Sequence, residues 1–366
     1  MDGEEVTTAR QDQKPAPGRG SPWRRLLHWL RRRWLLLLVL AGFGLLVALR
    51  FDDIVALTRT LIGGRVEWVL TAVLLQVAYY SLYAFLYQLA FATVEVEGRA
   101  SHLLPVLFAS LFLKVVVPSG GLSAVAVFVD DAARREQSAA RAAEGALLVL
   151  VADLVTMVPF ILYGFAFLQA QGVLELYQVL VALLFLLFTA ALAGLLLLGR
   201  LQPERLRVVL RSFQRWVNGL AARLHRPPPL GEDWAERNAA ECIGAACNIA
   251  AHPRPLRYTL AVALLVHAVS VASLYAVTLA YREPLDPGAV VAALSMDVIF
   301  SVINIIPHGI GIVEGIMALV FISLAVPATT AVVIALAFRG LSLWLPLAIG
   351  FFLLHRVQTF GAGRRP

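Results

Sequence analysis

Charge is scarce in this chain. Only 15% of its 366 residues are Asp, Glu, Lys or Arg, while 60% are hydrophobic and the mean hydropathy is +0.77. A soluble domain carries about a quarter charged residues, so a soluble enzyme and a disordered protein are both excluded. Cysteine is nearly absent. Cys242 and Cys247 have no metal-ligand spacing and no disulfide framework, and are expected to be free thiols on a reducing side of the membrane. Lysine occurs only at positions 14 and 114, and the other 29 of 31 basic residues are arginine, a bias that suggests a GC-rich bacterial genome. The net charge of +7 has no soluble basic domain to carry it. It is read as membrane orientation, with no nucleic-acid partner. The G-x-S-x-G and H-E-x-x-H signatures and any nucleotide motif are missing, and neither a cofactor nor a metal is expected. Asp52-Asp53 and Asp130-Asp131 invite a prenyl-diphosphate metal site, since Mg²⁺ uses carboxylates plus substrate phosphates. Arg134, however, stands where a third carboxylate would help, and no second acidic cluster lies in a matching span.

What the chain does have is long apolar runs. A helix needs about 20 apolar residues to cross about 30 Å of hydrocarbon. Trp34–Leu49, Val66–Ala92, Ala142–Leu168, Leu174–Leu198, Leu256–Tyr281 and Ala328–Leu354 are candidate spans. The basic, aromatic stretch 23–33 leads into the first with no cleavage site after it, so an uncleaved membrane helix is expected. Two further apolar segments are interrupted: His102–Val129 by Pro118-Ser119-Gly120-Gly121, and Val290–Val326 by Pro307-His308-Gly309-Ile310-Gly311. Proline removes an amide donor and glycine favours unwound backbone. Such backbone survives at membrane depth only where protein buries it or water reaches it. The expected fold is therefore all-α: a polytopic helical membrane protein with about six full crossings and two broken or re-entrant hairpins.

Basic residues orient it. The first 33 residues hold eight, the Arg200–Arg257 loop ten, Arg134–Arg141 three and the C-terminal tail three. The positive-inside rule then puts both termini in the cytoplasm of a multi-pass protein of the inner (plasma) membrane. The first broken segment starts and ends inside, the second outside. Ser81-Leu82-Tyr83-Ala84 recurs as Ser273-Leu274-Tyr275-Ala276, 192 residues later, and Pro118 recurs as Pro307 after 189. Helix, broken hairpin, helix thus occurs twice in opposite orientations, an inverted repeat of the kind transporters use around a midplane site. The expected organisation is a disordered cytoplasmic tail at 1–22, an integral membrane domain at 23–356, and a second cytoplasmic tail at 357–366. The membrane domain has halves at about 66–168 and 256–354 and a cytoplasmic loop at about 200–255. In that loop Leu206, Val209, Leu210, Phe213, Val217, Leu220 and Leu224 recur at helical spacing between arginines, which suits an amphipathic helix on the leaflet. A second helix is expected over Asp233–Ala250.

Ionisable groups inside membrane spans are costly, so each marks a candidate site. Lys114, Asp153, Asp297, Glu314 and Arg339 stand out. Glu314 follows the second break and either serves the site or caps a helix beginning near Ile312, whose amide end could also take a phosphate oxygen. Arg339 suits a lipid phosphate through paired donors, or forms a structural pair with Glu314 or Asp153. Asp153 is a proton-carrying carboxylate or the partner of Lys114, and Lys114 could instead snorkel to the interface. Asn304 shares a helical face with Asp297, two turns on, so that both could line a cavity. The breaks themselves, Pro118, Gly120, Gly121, Pro307, Gly309 and Gly311, complete the candidate headgroup path. Gln76, Tyr80, Tyr83 and Tyr87 form a polar stripe, for which ordinary packing is the preferred reading. His267 and His355 are read the same way, as packed or interfacial side chains.

The run Pro307-His308-Gly309-Ile310-Gly311-Ile312-Val313-Glu314, then Ala337-Phe338-Arg339, then Leu345 to Gly350 resembles the lysylphosphatidylglycerol synthase transmembrane family, also called flippase-like, across about residues 30–356. That family's pattern is similar to Pro-x-Gly-x-Gly-x-x-Glu, a helix, an Arg and a Pro-to-Gly final span; His308 stands where many members have glycine. The resemblance implies a lipid-translocating module. In long relatives it precedes an aminoacyl-transfer domain, and since this chain ends twelve residues after Leu354 the synthetic activity is not expected to carry over. The function expected is translocation of an anionic or polyprenyl-phosphate-linked lipid between leaflets, with membrane lipids as partners. The rivals are a membrane enzyme acting on lipid-linked sugar or prenyl phosphate, and a noncatalytic partner of a lipid-synthesis enzyme.

Overall fold

The structure, a computed structural model, describes residues 63–116, 122–223, 227–303 and 311–354. The expected first span Trp34–Leu49, Asp52-Asp53, both tails, and Pro118, Gly120, Gly121, Asn304, Pro307 and Gly309 lie outside those residues. The described chain is all-helical, with α1 at Val66–Thr93, α2 at Ala100–Val116, α3 at Leu122–Arg134 and α4 at Ala139–Ala170. α5 follows at Leu176–Leu201, then α6 at Pro203–Arg223 and α7 at Trp234–Ala251. The last group is α8 at Pro253–Ala280, α9 at Pro287–Ile303, α10 at Ile312–Ser323 and α11 at Ala328–Arg339. A π-helical turn, Gly340–Trp344, joins α11 to α12 at Leu345–Leu354. Among the described residues α1, α4, α5, α8 and the continuous α11–α12 rod are long and apolar enough to cross a membrane. They fall within three residues of the expected spans at each end. Each interrupted segment is a pair of shorter helices: α2 with α3, and α9 with α10.

A series of four elements recurs. Long helix, 17-residue helix, shorter helix and long helix run from α1 to α4 and again from α8 to α12. Pro253 follows Val66 by 187 residues, and Ala328 follows Ala139 by 189. The chain reversals match as well. The non-glycine residues with left-handed backbone among the described residues are Glu95, Glu136, Arg282 and Ala325, with φ of 57°, 60°, 62° and 66°. Arg282 follows Glu95 by 187 and Ala325 follows Glu136 by 189. In each case the next residue's N–H reaches back five positions: Val96 to Phe91 O at 2.9 Å, Gln137 to Ala132 O at 3.0 Å, Glu283 to Thr278 O at 3.0 Å and Val326 to Phe321 O at 3.1 Å. This closes orphan carbonyls in the Schellman manner, at positions where glycine is the usual occupant.

The two series pack into each other. α1 and α8 lie antiparallel, since Arg65 N–H donates to Ala280 O at 2.9 Å while Ser273 Oγ donates to Gln76 Oε1 at 3.1 Å. α4 crosses α9 and α12 crosses α2, each from the opposite series. Both crossings are close enough to need glycine. A Cβ on Gly164 would stand 2.8 Å from Ala292 Cα, and one on Gly350 would strike the Phe108 carbonyl. Two apolar cores result. One gathers the second half of α1 with α2, α3 and α12 around Phe91, Phe112 and Phe128; the other gathers α9, α10 and α11 with the second half of α4 around Met157, Phe321 and Phe338.

α5 stands at the periphery with Leu180, Leu183, Leu184 and Leu187 exposed, as a lipid-facing helix requires. The amphipathic loop is the expected pair of helices, and the two pack on each other. Leu206 and Leu210 pack on Ala235 and Ala239 of α7, while Val209, Phe213 and Leu220 stay exposed beside Trp216. Burial pushes the Cys242 thiol up from its ordinary range, and Cys247 is the exposed cysteine of the pair. Gly164→Ala and Gly350→Ala are expected to destabilise the fold, as overpacking of about 1–3 kcal/mol does. Gly194→Ala, whose Cβ meets nothing within 4 Å, should not. Thermal unfolding in detergent checks this; equal midpoints for all three would refute the close crossings.

Candidate functional site

Between the two cores lies a polar cavity of about 180 Å³. Leu107, Leu343 and Leu347 of the first core and Leu294 and Phe338 of the second line its apolar wall. Its polar lining comes from every element that crosses the middle of the molecule. α1 gives Gln76, Tyr79, Tyr80 and Tyr83; α2 gives Lys114; α4 gives Asp153; α8 gives His267 and Ser270. α9 gives Asp297 and Ser301, and the α11–α12 rod gives Arg339 and Ser342. Lys114, Asp153, Asp297 and Arg339, singled out as isolated charges along the sequence, thus face one space.

Arg339 is 3% exposed and already partnered. Its Nε donates to Glu314 Oε1 at 3.1 Å and its Nη1 to Asp297 Oδ1 at 3.3 Å. Glu314 stands behind the cavity wall rather than in it. Its second oxygen, Oε2, accepts the Gly311 N–H at 2.7 Å, so this carboxylate both caps α10 and pairs Arg339. Gly311 opens α10 with φ of 89°, a conformation glycine adopts without strain. Of the two partners expected for Arg339, Glu314 is the one that pairs with it. Asp153 lies instead beside His267, whose Nε2 is 3.5 Å from Asp153 Oδ1 and 2.9 Å from the Asp153 carbonyl oxygen. A carbonyl only accepts, so Nε2 carries its hydrogen. Lys114 lines the cavity and makes no ion pair or hydrogen bond with another described residue.

The tyrosine stripe divides. Tyr80 and Tyr83 line the cavity with Gln76, and so does Tyr79, which the spacing argument left out. Tyr87 turns away to stack on Phe128, with ring centroids 4.0 Å apart. Tyr80 Oη donates to Ser342 O at 2.6 Å inside the π turn. A π turn breaks the regular carbonyl register, and such turns gather at functional sites. This contact has a counterpart. His267 follows Tyr80 by 187 residues and Ser342 follows Asp153 by 189, the same offsets that separate the helix starts. So Tyr80 to Ser342 O and His267 to Asp153 O are one hydrogen bond made twice, each time from one series of helices to the other. His267, read from sequence as a packed histidine, is buried and hydrogen-bonded, and it also lines the cavity at the position equivalent to Tyr80.

Asp130 and Asp131 are occupied elsewhere. Arg134 Nε meets Asp130 at 2.8 Å, and Arg135 Nε and His102 Nε2 meet Asp131 at 3.1 and 3.0 Å, at the α3–α4 corner. Among the described residues no group of three or more His, Cys, Asp or Glu side chains is placed to hold a metal ion.

A polytopic helical membrane protein with a charged chamber between two interlocked helix series is what the fold and site define. Its family follows from comparison: residues 34–350 match the family described as the lysylphosphatidylglycerol synthase TM region, and the chain belongs to that family. No curated protein and no solved structure matches it. A lipid-related membrane role is therefore established in outline. Removing one partner of a buried ion pair costs about 3–5 kcal/mol because the other charges are left unpaired. Arg339→Gln is thus expected to lower the unfolding midpoint sharply, and Asp297→Asn less so, since Glu314 keeps Arg339 paired. Thermal scans of the two variants decide this, and an unchanged midpoint for Arg339→Gln would count against a structural clamp.

Proposed function

We propose that this protein moves the headgroup of an anionic or polyprenyl-phosphate-linked lipid between leaflets of the bacterial cytoplasmic membrane. The observation that carries the reading is the placement of Lys114, Asp153, Asp297 and Arg339 around one chamber between the two helix series. The volume is below the ~300–1,000 Å³ of pockets that engulf drug-sized ligands. It suits a headgroup whose acyl chains stay in the bilayer. The antiparallel α1–α8 pair, the matched chain reversals and the doubled cross-series hydrogen bond support an inverted repeat, so the chamber sits on the pseudo-two-fold axis as midplane transport sites do. Arginines of the α3–α4 corner and the α6–α7 pair lie at one end of the molecule, where Arg141 pairs with Glu95 and Asn248 with Glu144. The positive-inside rule makes that end cytoplasmic.

The roles of the two cations divide. Arg339 holds the broken α9–α10 segment against α11, being saturated by Asp297 and Glu314. Lys114 is the cation left facing the chamber and receives the headgroup phosphate as a point charge. The exposed stripe Val209, Phe213, Trp216 and Leu220 rests on the cytoplasmic leaflet. The test is reconstitution into liposomes with headgroup-labelled phosphatidylglycerol in the outer leaflet, followed by chemical quenching. Wild type is expected to expose lipid between leaflets well above the protein-free rate. Lys114→Gln is expected to lose most of that gain while keeping its unfolding midpoint. A wild-type rate equal to empty liposomes refutes the reading. In that event, metal-dependent turnover of a lipid-linked phosphate by the pure protein would mark a membrane enzyme, and stable co-purification with a lipid-synthesis enzyme a noncatalytic partner.

A further inference from the structure

Among the described residues, the chamber and the ion cluster behind its wall carry one negative charge too many. Around it stand the carboxylates of Asp153, Asp297 and Glu314 against the cations Lys114 and Arg339. Arg339 is shared by two carboxylates, which leaves that group at minus one; Lys114 and Asp153 cancel. Buried charge is tolerated in a low-dielectric interior only when it is paired. A phosphate arriving at Lys114 would add a second unpaired negative charge. Some positive charge has to accompany it. Nothing among the described residues has the ligand set for a metal ion, whereas one contact is built for a proton.

That contact is Asp153 with His267. Its two side chains are 3.5 Å apart and both line the chamber, on α4 and α8. Nε2 of His267 is held as a donor by the Asp153 carbonyl, so an added proton goes either to Nδ1, making the ring cationic, or to the Asp153 carboxyl. Glu314 is unsuited, since both of its oxygens are committed, one to Gly311 N–H and one to Arg339. Asp297 is committed to Arg339. The remaining groups facing Asp153 across the chamber are Lys114 from α2 and the hydroxyls of Tyr79 and Tyr83 from α1, which are donors with no charge of their own.

Building on the lipid-transport reading, we propose that the Asp153–His267 pair binds one exchangeable proton, and that this proton enters the chamber with the anionic headgroup and leaves with it, making the protein a proton–lipid symporter. The proton is taken from water on one side and released to water on the other, with no bond made or broken in the lipid. Lipid then moves in the direction of proton flow.

Two measurements test this separately from the transport reading. The first needs no lipid movement: infrared difference spectra of the protein in nanodiscs across a pH titration. A protonated-carboxyl band that grows on acidification and vanishes in Asp153→Asn, with its midpoint moved in His267→Gln, is expected. Absence from wild type of both this band and an imidazolium signal removed by His267→Gln, or signals untouched by both substitutions, overturns the proton site. The second is the liposome assay with a pH difference imposed in either sense, and with a sodium difference as control. Labelled phosphatidylglycerol is expected to pass faster from the acidic to the alkaline side, with no response to sodium, and the pH response is expected to be lost in His267→Gln. Lipid movement indifferent to the pH difference overturns the coupling. No movement under any condition overturns the transport reading instead, while the infrared result still decides whether the pair binds a proton. His267→Gln keeps a donor for the Asp153 carbonyl, so it separates loss of the proton from loss of the fold.

Discussion

Three charges meet where none would be tolerated alone. Arg339 lies between Asp297 and Glu314, almost wholly out of solvent, and each member removes the desolvation cost of its neighbours. The consequences spread outward. Glu314 caps Gly311 at the start of α10 and ties that start to α11 through Arg339, so α10 has a fixed origin. Arg339 is also the last residue before the π turn, so the clamp fixes where the rod loses its regular register and where Ser342 offers its carbonyl to Tyr80. One ion cluster thus sets the shape of one side of the chamber. The corresponding places in the first helix series hold Ser110, Val125 and Leu150, which are neutral. The resemblance between the series is one of backbone, and the chemistry is unequal.

Backbone likeness shows most clearly at the chain reversals. Among the described residues four non-glycine positions adopt left-handed geometry, at equivalent points, each closing the same six-residue hydrogen-bonded ring. Their side chains, two glutamates, an arginine and an alanine, have nothing in common. What is kept is the turn that sends the chain back after α1, α3, α8 and α10, and with it the direction of the following helix. The cross-series hydrogen bond follows the same logic: a tyrosine hydroxyl in one copy and an imidazole in the other supply a donor to the same carbonyl position.

Much of the architecture was legible in the sequence because hydrocarbon imposes a simple length and polarity rule. The five long spans were read from apolar runs within three residues, and the two interrupted segments from proline and glycine. Lys114, Asp153, Asp297, Glu314 and Arg339 stood out for the same reason, being charges in the wrong solvent. Their grouping was not legible, because it depends on helix rotation and on contacts between residues 42 to 114 positions apart in the chain. The pairing of Arg339 with Asp297 is one such contact, and the role of His267 is another, since imidazole looks the same packed or engaged until its partner is known. The repeated Ser-Leu-Tyr-Ala tetrapeptide is out of register with the recurring helices. Its spacing of 192 is five residues out of step with the helix starts, which differ by 187. Amphipathic period alone placed α6 at the surface, yet Leu206 and Leu210 are spent on packing against α7, because a helical stripe wide enough for a membrane is also wide enough for a neighbour.

The antiparallel pairing of α1 with α8 has a bearing on how the molecule is made. These two helices are the most extensively joined pair in the fold, yet one emerges from the ribosome long before the other. Until α8 and the α11–α12 rod arrive, Gln76, Tyr80 and Asp153 wait in or near the bilayer without Ser273, Ser342 and His267. Assembly must therefore be largely post-insertional, with early segments held by chaperoning or by provisional contacts before the late ones lock them. A truncated nascent chain would expose the chamber's polar lining to lipid, which makes the first half alone a natural substrate for membrane quality control.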